Sequence, residues 1–469
     1  MSCENPLRAQ YWFGRVDPRP QALFRWLLGL AICHDLINYA RDLRAFITDE
    51  GMLPRGFQAD PRAHSPFEFI AHTGPAACVF GLGFAAVVSF TLGYRPRLSA
   101  ALSWLFLTAL HTRNLYVTDG GDDLVRYLMF LSIFADLGGC WSIDAWRSGT
   151  ARRPAATLGL RFLQLHIALL YFCAARLKFR HGWLAQNVVF QTLQLTGFLR
   201  PPGQALGQLP ALCRASTLMT LALEFSFAFL AFSPVRVGLT RALAIFAGVA
   251  VQFGILVTMR VGVFTETMLA AMALYTRPEW FAWLGQKLGR GAPVVSEDAP
   301  GERDFGPAIR RDPWRALAFA VLCFQFVSLA WGPFAARRFP LPHWAIAGRE
   351  WLWLDQPFGL FDVVYDIPSW RAEGITQSGA HVEALAQAVP DLLPVVRWRF
   401  SRWYKFTFKE RERAFRFAPL GRFICREYQA HTGEALREFS LIEKLTPPLV
   451  YGQPREPAHE RERWHQVCE

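Results

Sequence analysis

The sequence predicts an all-α polytopic membrane bundle of about nine transmembrane helices, closed by a small extracytoplasmic α+β domain. Three observations predict it. Of 469 residues, 52% are hydrophobic and only 19% charged, with a mean hydropathy of +0.16, whereas soluble domains carry about a quarter charged residues. The apolar residues bunch into long runs as far as residue 335, after which polarity rises. Arginines collect in the short loops between those runs, where they set orientation.

The elements follow in order. Arg8, Arg15 and Arg19 precede the first run, and no short apolar stretch ends in a small-residue cleavage site. The first run is therefore expected to stay in the mature protein. A bilayer core takes roughly 20 helical residues to cross. Runs that fit lie at 21–39, 75–93, 98–111, 123–140, 157–177, 212–233, 239–259, 263–275 and 316–333. The third and eighth are short, as re-entrant or tilted segments are. With a cytoplasmic N-terminus, the inner loops hold Arg95 and Arg97, then Arg147, Arg152 and Arg153, then Arg236 and Arg241, then the basic residues from Arg277 to Arg311. The outer loop at 118–123 holds Asp119, Asp122 and Asp123. This positive-inside bias puts the tail outside the cytoplasm, with a bacterial inner membrane as the expected location.

Four regions result: a membrane domain at 1–285, a cytoplasmic linker at 286–314, a last transmembrane helix at 315–335 and an extracytoplasmic domain at 336–469. The linker is rich in Pro, Gly and acidic residues over 293–313, a composition without periodicity. Residues 339–361 are dense in aromatic rings, which favour the headgroup level of a bilayer. Residues 370–383 read as strand, Ser378-Gly379 turn, strand. Residues 394–428 read as mostly helical, the basic run 409–413 as a solvated face touching anionic lipid, and 438–445 as a further strand.

The net charge of +12 does not signal nucleic acid. Only five lysines are present, the arginines mark topology, and no zinc-finger, RRM or KH pattern occurs. Nine cysteines are scattered, six of them in or beside apolar runs, with no C-x-x-C pair. They support neither a zinc site nor a disulfide framework and are expected to be small buried hydrophobes. No phosphate loop, nucleophile elbow or H-E-x-x-H occurs. Nor is there an inverted repeat of the transporter kind.

Ionisable groups at membrane depth cost about 2.5–3.5 kcal/mol each on insertion scales and face interior sites. Here they are His34, Asp35, Arg126, Asp136, His166, Arg176, Lys178, Glu224 and Glu266. Taken together they predict a polar cavity between helices; taken singly, each also fits an internal ion pair. Lys178 is the one lysine near a run, at the end of 157–177. Withdrawal from water favours its neutral form, and a neutral amine can act as a general base. A lysine snorkelling from a helix end is the plainer reading of the same residue.

Four stretches resemble one family. They are Phe24-Arg25-Trp26-Leu27-Leu28-Gly29 with Asp49-Glu50-Gly51-Met52-Leu53-Pro54, and Asp136 with Trp141-Ser142-Ile143-Asp144. Next comes Tyr171-Phe172-Cys173-Ala174-Ala175-Arg176-Leu177-Lys178 with Trp183, and last Gly262-Val263-Phe264-Thr265 with Met268-Leu269-Ala270 and Pro278-Glu279-Trp280. Their order and spacing resemble the vitamin K-dependent γ-carboxylases and their relatives with a horizontally transferred transmembrane (HTTM) domain, in a bacterial-type member. The resemblance covers about residues 10–285. A looser likeness to bacterial relatives runs through Arg397–Trp403, Arg422–Arg426 and Phe439–Thr446.

The resemblance implies a reduced quinone of vitamin K or menaquinone type, with O2 and CO2 as co-substrates, no metal, and a peptide or protein substrate. In the carboxylases a lysine at the place of Lys178 deprotonates the hydroquinone. Oxygen then converts the anion into a strong base, which takes a glutamate γ-proton before CO2 is captured. Asp136, His166, Arg176, Glu224, Glu266, His34 and Asp35 are the supporting candidates around such a cavity. Two positions depart from the family: Gly121 stands where animal carboxylases have a histidine, and Leu177 where a lysine precedes the base. The tail is also shorter than the animal enzymes' lumenal region. Two functions follow. An enzyme predicts that Lys178, Asp136, Glu224 and His166 share one cavity open to lipid. A non-catalytic maturation, export or immunity factor predicts separate pairs and no quinone-sized pocket.

Overall fold

The structure, a computed structural model, describes residues 9–57, 65–149, 152–289, 313–334, 340–354, 366–393, 395–409 and 417–468. Each of the nine apolar runs contains a helix, although the fourth run is helical only to Ile133, which leaves Asp136 beyond the helix end. The helices are α1 (Arg19–Ala40), α2 (Thr73–Leu92), α3 (Pro96–Arg113), α4 (Gly120–Ile133), α5 (Thr157–Arg180), α6 (Pro210–Ala231), α7 (Val237–Thr258), α8 (Phe264–Met272) and α9 (Pro313–Phe334). The count of nine spans is not supported. Among the described residues four helices, α2, α5, α6 and α7, are long and apolar enough to cross a membrane.

The physical reasons differ by helix. Arg19, Arg25 and Asp35 make α1 polar, and Arg97, His111 and Arg113 do the same for α3. Helix α4 has 14 residues and α8 nine, or about 21 and 14 Å at 1.5 Å per residue. Within α9 the described apolar helix is Ala316–Trp331. These shorter or more polar helices carry much of the buried charge.

Helices α6 and α7 wear their apolar residues outward. On α6, Cys213, Thr217, Glu224, Phe227 and Ala231 are buried at three-, four- and seven-residue steps, while Leu218, Met219, Phe225 and Phe229 are more than half exposed or at half. On α7, Arg241, Gln252 and small residues face inward, and Leu239, Phe246 and Phe253 face outward. One helical stripe is thus more polar than the opposite face, the arrangement expected when the surroundings are lipid. This is an integral membrane protein whose outer helices contact lipid. Helix α5 runs through the middle, buried along most of its length and touching α4, α6, α8 and α9.

After the surface helix α10 (His343–Trp351) comes a four-stranded antiparallel sheet. Its strands are β1 (Ile367–Thr376), β2 (His381–Glu383), β3 (Leu436–Thr446) and β4 (His459–Val467), in the order β2-β1-β3-β4. The expected hairpin is present, and Gly379 supplies the positive φ of its turn. The expected strand at 438–445 is β3. Strand β4, rich in charge, was not anticipated. Within 394–428, helix is confined among the described residues to α11 (Trp403–Lys409) and α12 (Phe417–Thr432). Most of the expected linker and of the basic run 409–413, and part of 339–361, lie outside the described residues.

The cysteines depart from the expected buried, free thiols in two ways: Cys78 is exposed and Cys33 and Cys323 are only partly buried, and two others are bonded. Cys425 on α12 and Cys468 after β4 form a disulfide. Neither lies in an apolar run, so the reasoning that fits Cys140, Cys173 and Cys213, all buried and free, did not reach them.

The C-terminal domain sits on one end of the bundle. Arg44 pairs with Glu427, Trp403 Nε1 donates to Asp42 at 3.2 Å, Arg426 to the Glu50 carbonyl, and Lys405 meets Asp119 at 3.0 Å. The opposite end brings Trp141 against Phe281, and Arg19 over that same ring.

Candidate functional site

Lys178 and Glu224 are a pair of candidates that meets in a largely apolar cavity. Nζ lies 2.5 Å from Glu224 Oε1, and the two residues are 5% and 4% exposed. Lys178 comes from the last turn of α5, and Glu224 from the inward stripe of α6. Helix α5 stops at His181, and Gly182 adopts φ +70°. That left-handed turn carries the chain back so that the Trp183 ring lies 4.8 Å from the amine, a cation–π contact.

The pair forms part of the wall of a largely apolar cavity of about 150 Å³ between α5, α6 and α7. Val189, Leu193, Leu223, Val251 and Ile255 line it, and Met219 and Gly254, both exposed, mark where it reaches the lipid-facing surface. Glu224 Oε2 is buried with no hydrogen-bond partner among the described residues. An unsatisfied carboxylate oxygen there is costly, and it is suited to accept a hydroxyl proton from a ligand. Tyr171 braces the wall: its hydroxyl receives a hydrogen bond from Gln252 at 3.1 Å and its ring packs 4.4 Å from Phe227.

The other candidates do not share this cavity. Asp136 pairs with Arg153 at 3.0 Å at the opposite end of the bundle. His166 is fully buried, stacked on Tyr127 at 3.9 Å. Arg176 is half-buried outside the cavity lining. His34 Nδ1 lies 3.0 Å from Glu266 Oε2, and Asn38 donates to the other ring nitrogen. That pair lines a second cavity of about 130 Å³, walled also by Asp35, Arg200, Arg260 and Phe400. Met259 lies on both cavities.

Asp35 belongs to a buried ionic knot. Arg402 Nη2 donates to Asp35 at 2.7 and 2.8 Å and to Asp122 Oδ1 at 2.9 Å, while Nη1 donates to Asp122 Oδ2 and the Val117 carbonyl, each at 3.0 Å. His111 Nε2 stands 3.3 Å from Asp122, and Arg126 meets its other nitrogen at 3.0 Å. Burial works against the guanidinium charge of Arg402, but Asp122 and Asp35 outweigh it and raise its pKa well above the ordinary value. Ligand atoms of Asp35, His111 and Asp122 lie within 4.8 Å of one another, close enough for a metal ion. Arg402 already supplies the positive charge between the two carboxylates.

His111 and Arg402 were missed from the sequence. His111 ends the run 98–111 and carried the same signal as His166. Nothing in the sequence ties Arg402 to residues some 280 and 367 positions earlier.

The family model of the HTTM domain matches residues 13–280, more than half of the chain. The chain belongs to the HTTM domain family. No curated protein and no solved structure matches it. The HTTM domain therefore holds the Lys178 cavity, the His34–Glu266 pair and the carboxylates of the ionic knot, whereas Arg402 and the Trp398–Phe400 wall of the second cavity come from outside it.

Several stretches that carry the family resemblance act as braces within the HTTM domain. Arg25 donates to the carbonyls of Thr91, Leu137 and Trp141, tying the first stretch to the second. Ser142 caps a short helix through Ala145 N–H. Gly121 has a steric reason: a Cβ there would lie 2.8 Å from the Phe264 backbone nitrogen and 2.9 Å from Asp119 Oδ1. The close approach of α8 leaves no room for a side chain at that position.

Proposed function

We propose that this HTTM protein is a quinol- and O2-dependent membrane enzyme of the γ-glutamyl carboxylase type, acting on an exported peptide with Lys178 as general base. One observation carries the reading: a buried amine and a buried carboxylate, one of whose oxygens lacks a protein partner, stand together on an apolar cavity that reaches the lipid-facing surface. A cavity of about 150 Å³ is of the size known to admit a benzene-like ring. An apolar pocket with a few convergent polar groups is the usual form of a small-molecule site.

A reduced quinone of vitamin K or menaquinone type would supply an acidic hydroxyl and, with O2 and CO2, the oxidation and carboxylation chemistry. As the general base, Lys178 would take the hydroxyl proton at Nζ. Glu224 Oε1 would balance the ammonium formed, and the Trp183 face would add a second attraction to it. The apolar lining keeps water from competing for the base.

The second reading is a non-catalytic maturation, export or immunity factor of the same fold. It is favoured by the separate pairing of Asp136 with Arg153, His34 with Glu266, and Asp35 with Arg402. The departures at Gly121 and Leu177 favour it too.

We read the N-terminus and the linker 286–314 as cytoplasmic, residues 315–335 as the last span and 336–469 as extracytoplasmic in a bacterial inner membrane. The Cys425–Cys468 disulfide supports this orientation, because disulfides persist in oxidising compartments.

The test uses the purified protein in detergent with reduced menaquinone or vitamin K, following O2-dependent epoxide formation. General-base loss costs about 10²-fold or more, so Lys178→Ala should fall by at least that factor and Glu224→Gln should also be impaired. Equal turnover by wild type and Lys178→Ala would remove the general-base assignment. No turnover by wild type with either quinol would favour the non-catalytic reading.

A further inference from the structure

The end of the bundle remote from the C-terminal domain carries an open groove of about 580 Å³, lined by Leu23, Trp26, Leu92, Trp141, Ile143 and Trp146. Its wall is firmly built. Trp26 Nε1 donates to the Trp141 carbonyl at 2.9 Å, and Arg25, fully buried, donates to that same oxygen. Trp141 is held at φ +47°, a conformation that non-glycine residues rarely adopt. These contacts keep its indole in the groove and 48% exposed, beside Trp146 at 81%.

The charge at the rim is the second observation. Arg95 and Arg147 both converge on the Tyr94 ring, at 5.8 and 5.9 Å from its centroid. Tyr94 follows Leu92 by two residues, and Arg147 follows Trp146, so the ring and its two arginines adjoin the groove-lining residues along the chain. Among the described residues neither makes an ion pair with a carboxylate. Asp144 accepts from the Arg95 backbone N–H at 3.0 Å. Two guanidinium groups on one ring, neither ion-paired although Asp144 is nearby, next to an apolar trough, complement an anion that carries a hydrocarbon tail.

We propose that this groove binds one anionic phospholipid, with an acyl chain along Trp26, Leu92 and Trp146 and the phosphate between Arg95 and Arg147. The site is separate from the Lys178 cavity and does not depend on any catalytic role there. It fixes a lipid where Arg25, Trp26 and Trp141 join α1 to the segment after α4.

Native mass spectrometry of the full-length protein in detergent, with dioleoylphosphatidylglycerol and dioleoylphosphatidylcholine at equal concentration, tests the proposal. The wild type should retain phosphatidylglycerol at least fivefold over phosphatidylcholine. Arg95→Gln with Arg147→Gln should abolish that preference, and Arg95→Lys with Arg147→Lys should keep it. Trp146→Ala should weaken retention of both lipids. Equal retention of the two lipids by the wild type would overturn the proposal without any variant, as would an undiminished preference in the glutamine pair.

Discussion

Arg402 places Nη2 2.7 Å from Asp35 Oδ2, a residue 367 positions earlier in the chain. The contact joins the C-terminal domain to the first helix of the bundle, with Asp122 as the second acceptor. Removing one member of a buried ion pair strands its partners and costs about 3–5 kcal/mol. Arg402→Met should therefore lower the thermal midpoint sharply and free the C-terminal domain for limited proteolysis. Adding Asp35→Asn and Asp122→Asn should recover part of the loss. Additive losses in that double-mutant comparison would mean the three residues are not coupled.

Access to the Lys178 cavity can be separated from stability by two glycines of α7. A Cβ on Gly254 meets nothing within 4 Å, whereas one on Gly248 would lie 2.3 Å from Met272 Sδ. Gly254→Leu should leave the melting temperature within a degree or two while raising the quinol KM several-fold. Gly248→Leu should destabilise by about 1–3 kcal/mol through overpacking. A Gly254→Leu enzyme with unchanged KM would place the entry path elsewhere.

The disulfide spans 43 residues. Loop-closure entropy for that span comes to about 4 kcal/mol at 25 °C in the chain-entropy model, and measured values for disulfides are commonly 2–4. Cys425→Ala should lower the unfolding free energy of the C-terminal domain by that amount. Wild type should shift mobility between reducing and non-reducing gels, and Cys468→Ala should not. Identical stability with and without reductant would show that the bridge contributes nothing.

Gly121 and Gly197 mark two close approaches. A Cβ on Gly197 would overlap the Tyr404 ring at 1.6 Å, so Gly197→Ala should loosen the seat of the C-terminal domain and speed its proteolytic release. Gly121→His, which restores the animal-type residue, should destabilise the bundle by more than about 1 kcal/mol and add no activity, because α8 occupies the space. A stable and more active Gly121→His protein would contradict that packing argument.

How much of this was legible in the sequence depended on the range of the interaction. Hydropathy located a helix in each of the nine runs, because each is a local property of some twenty residues. It overcounted spans, because a run such as 123–140 reads as apolar although Gly120–Ile133 is too short to cross and holds Asp122 and Arg126. The family stretches pointed to Lys178, and insertion cost pointed to Glu224, yet the contact between them rests on the packing of α5 on α6. The same cost argument grouped Asp136, His166 and Glu266 with them, since depth in a helix does not tell which side a residue faces. The Ser378-Gly379 turn was readable from its residues. Strand β4 was not, because its alternating Glu and Arg give no apolar period; Arg461 and Arg463 instead reach Glu443 on β3.

The long reach of Arg402 also sets an order in time. Asp35 and Asp122 are synthesised, and their helices assembled, while the cation that neutralises them has still to emerge from the ribosome. Until it arrives, the two carboxylates lack the cation that stands between them in the finished fold. A chain truncated just before residue 402 would thus lose more than its last domain: two carboxylates buried in its earliest-made part would be left without their shared counter-ion.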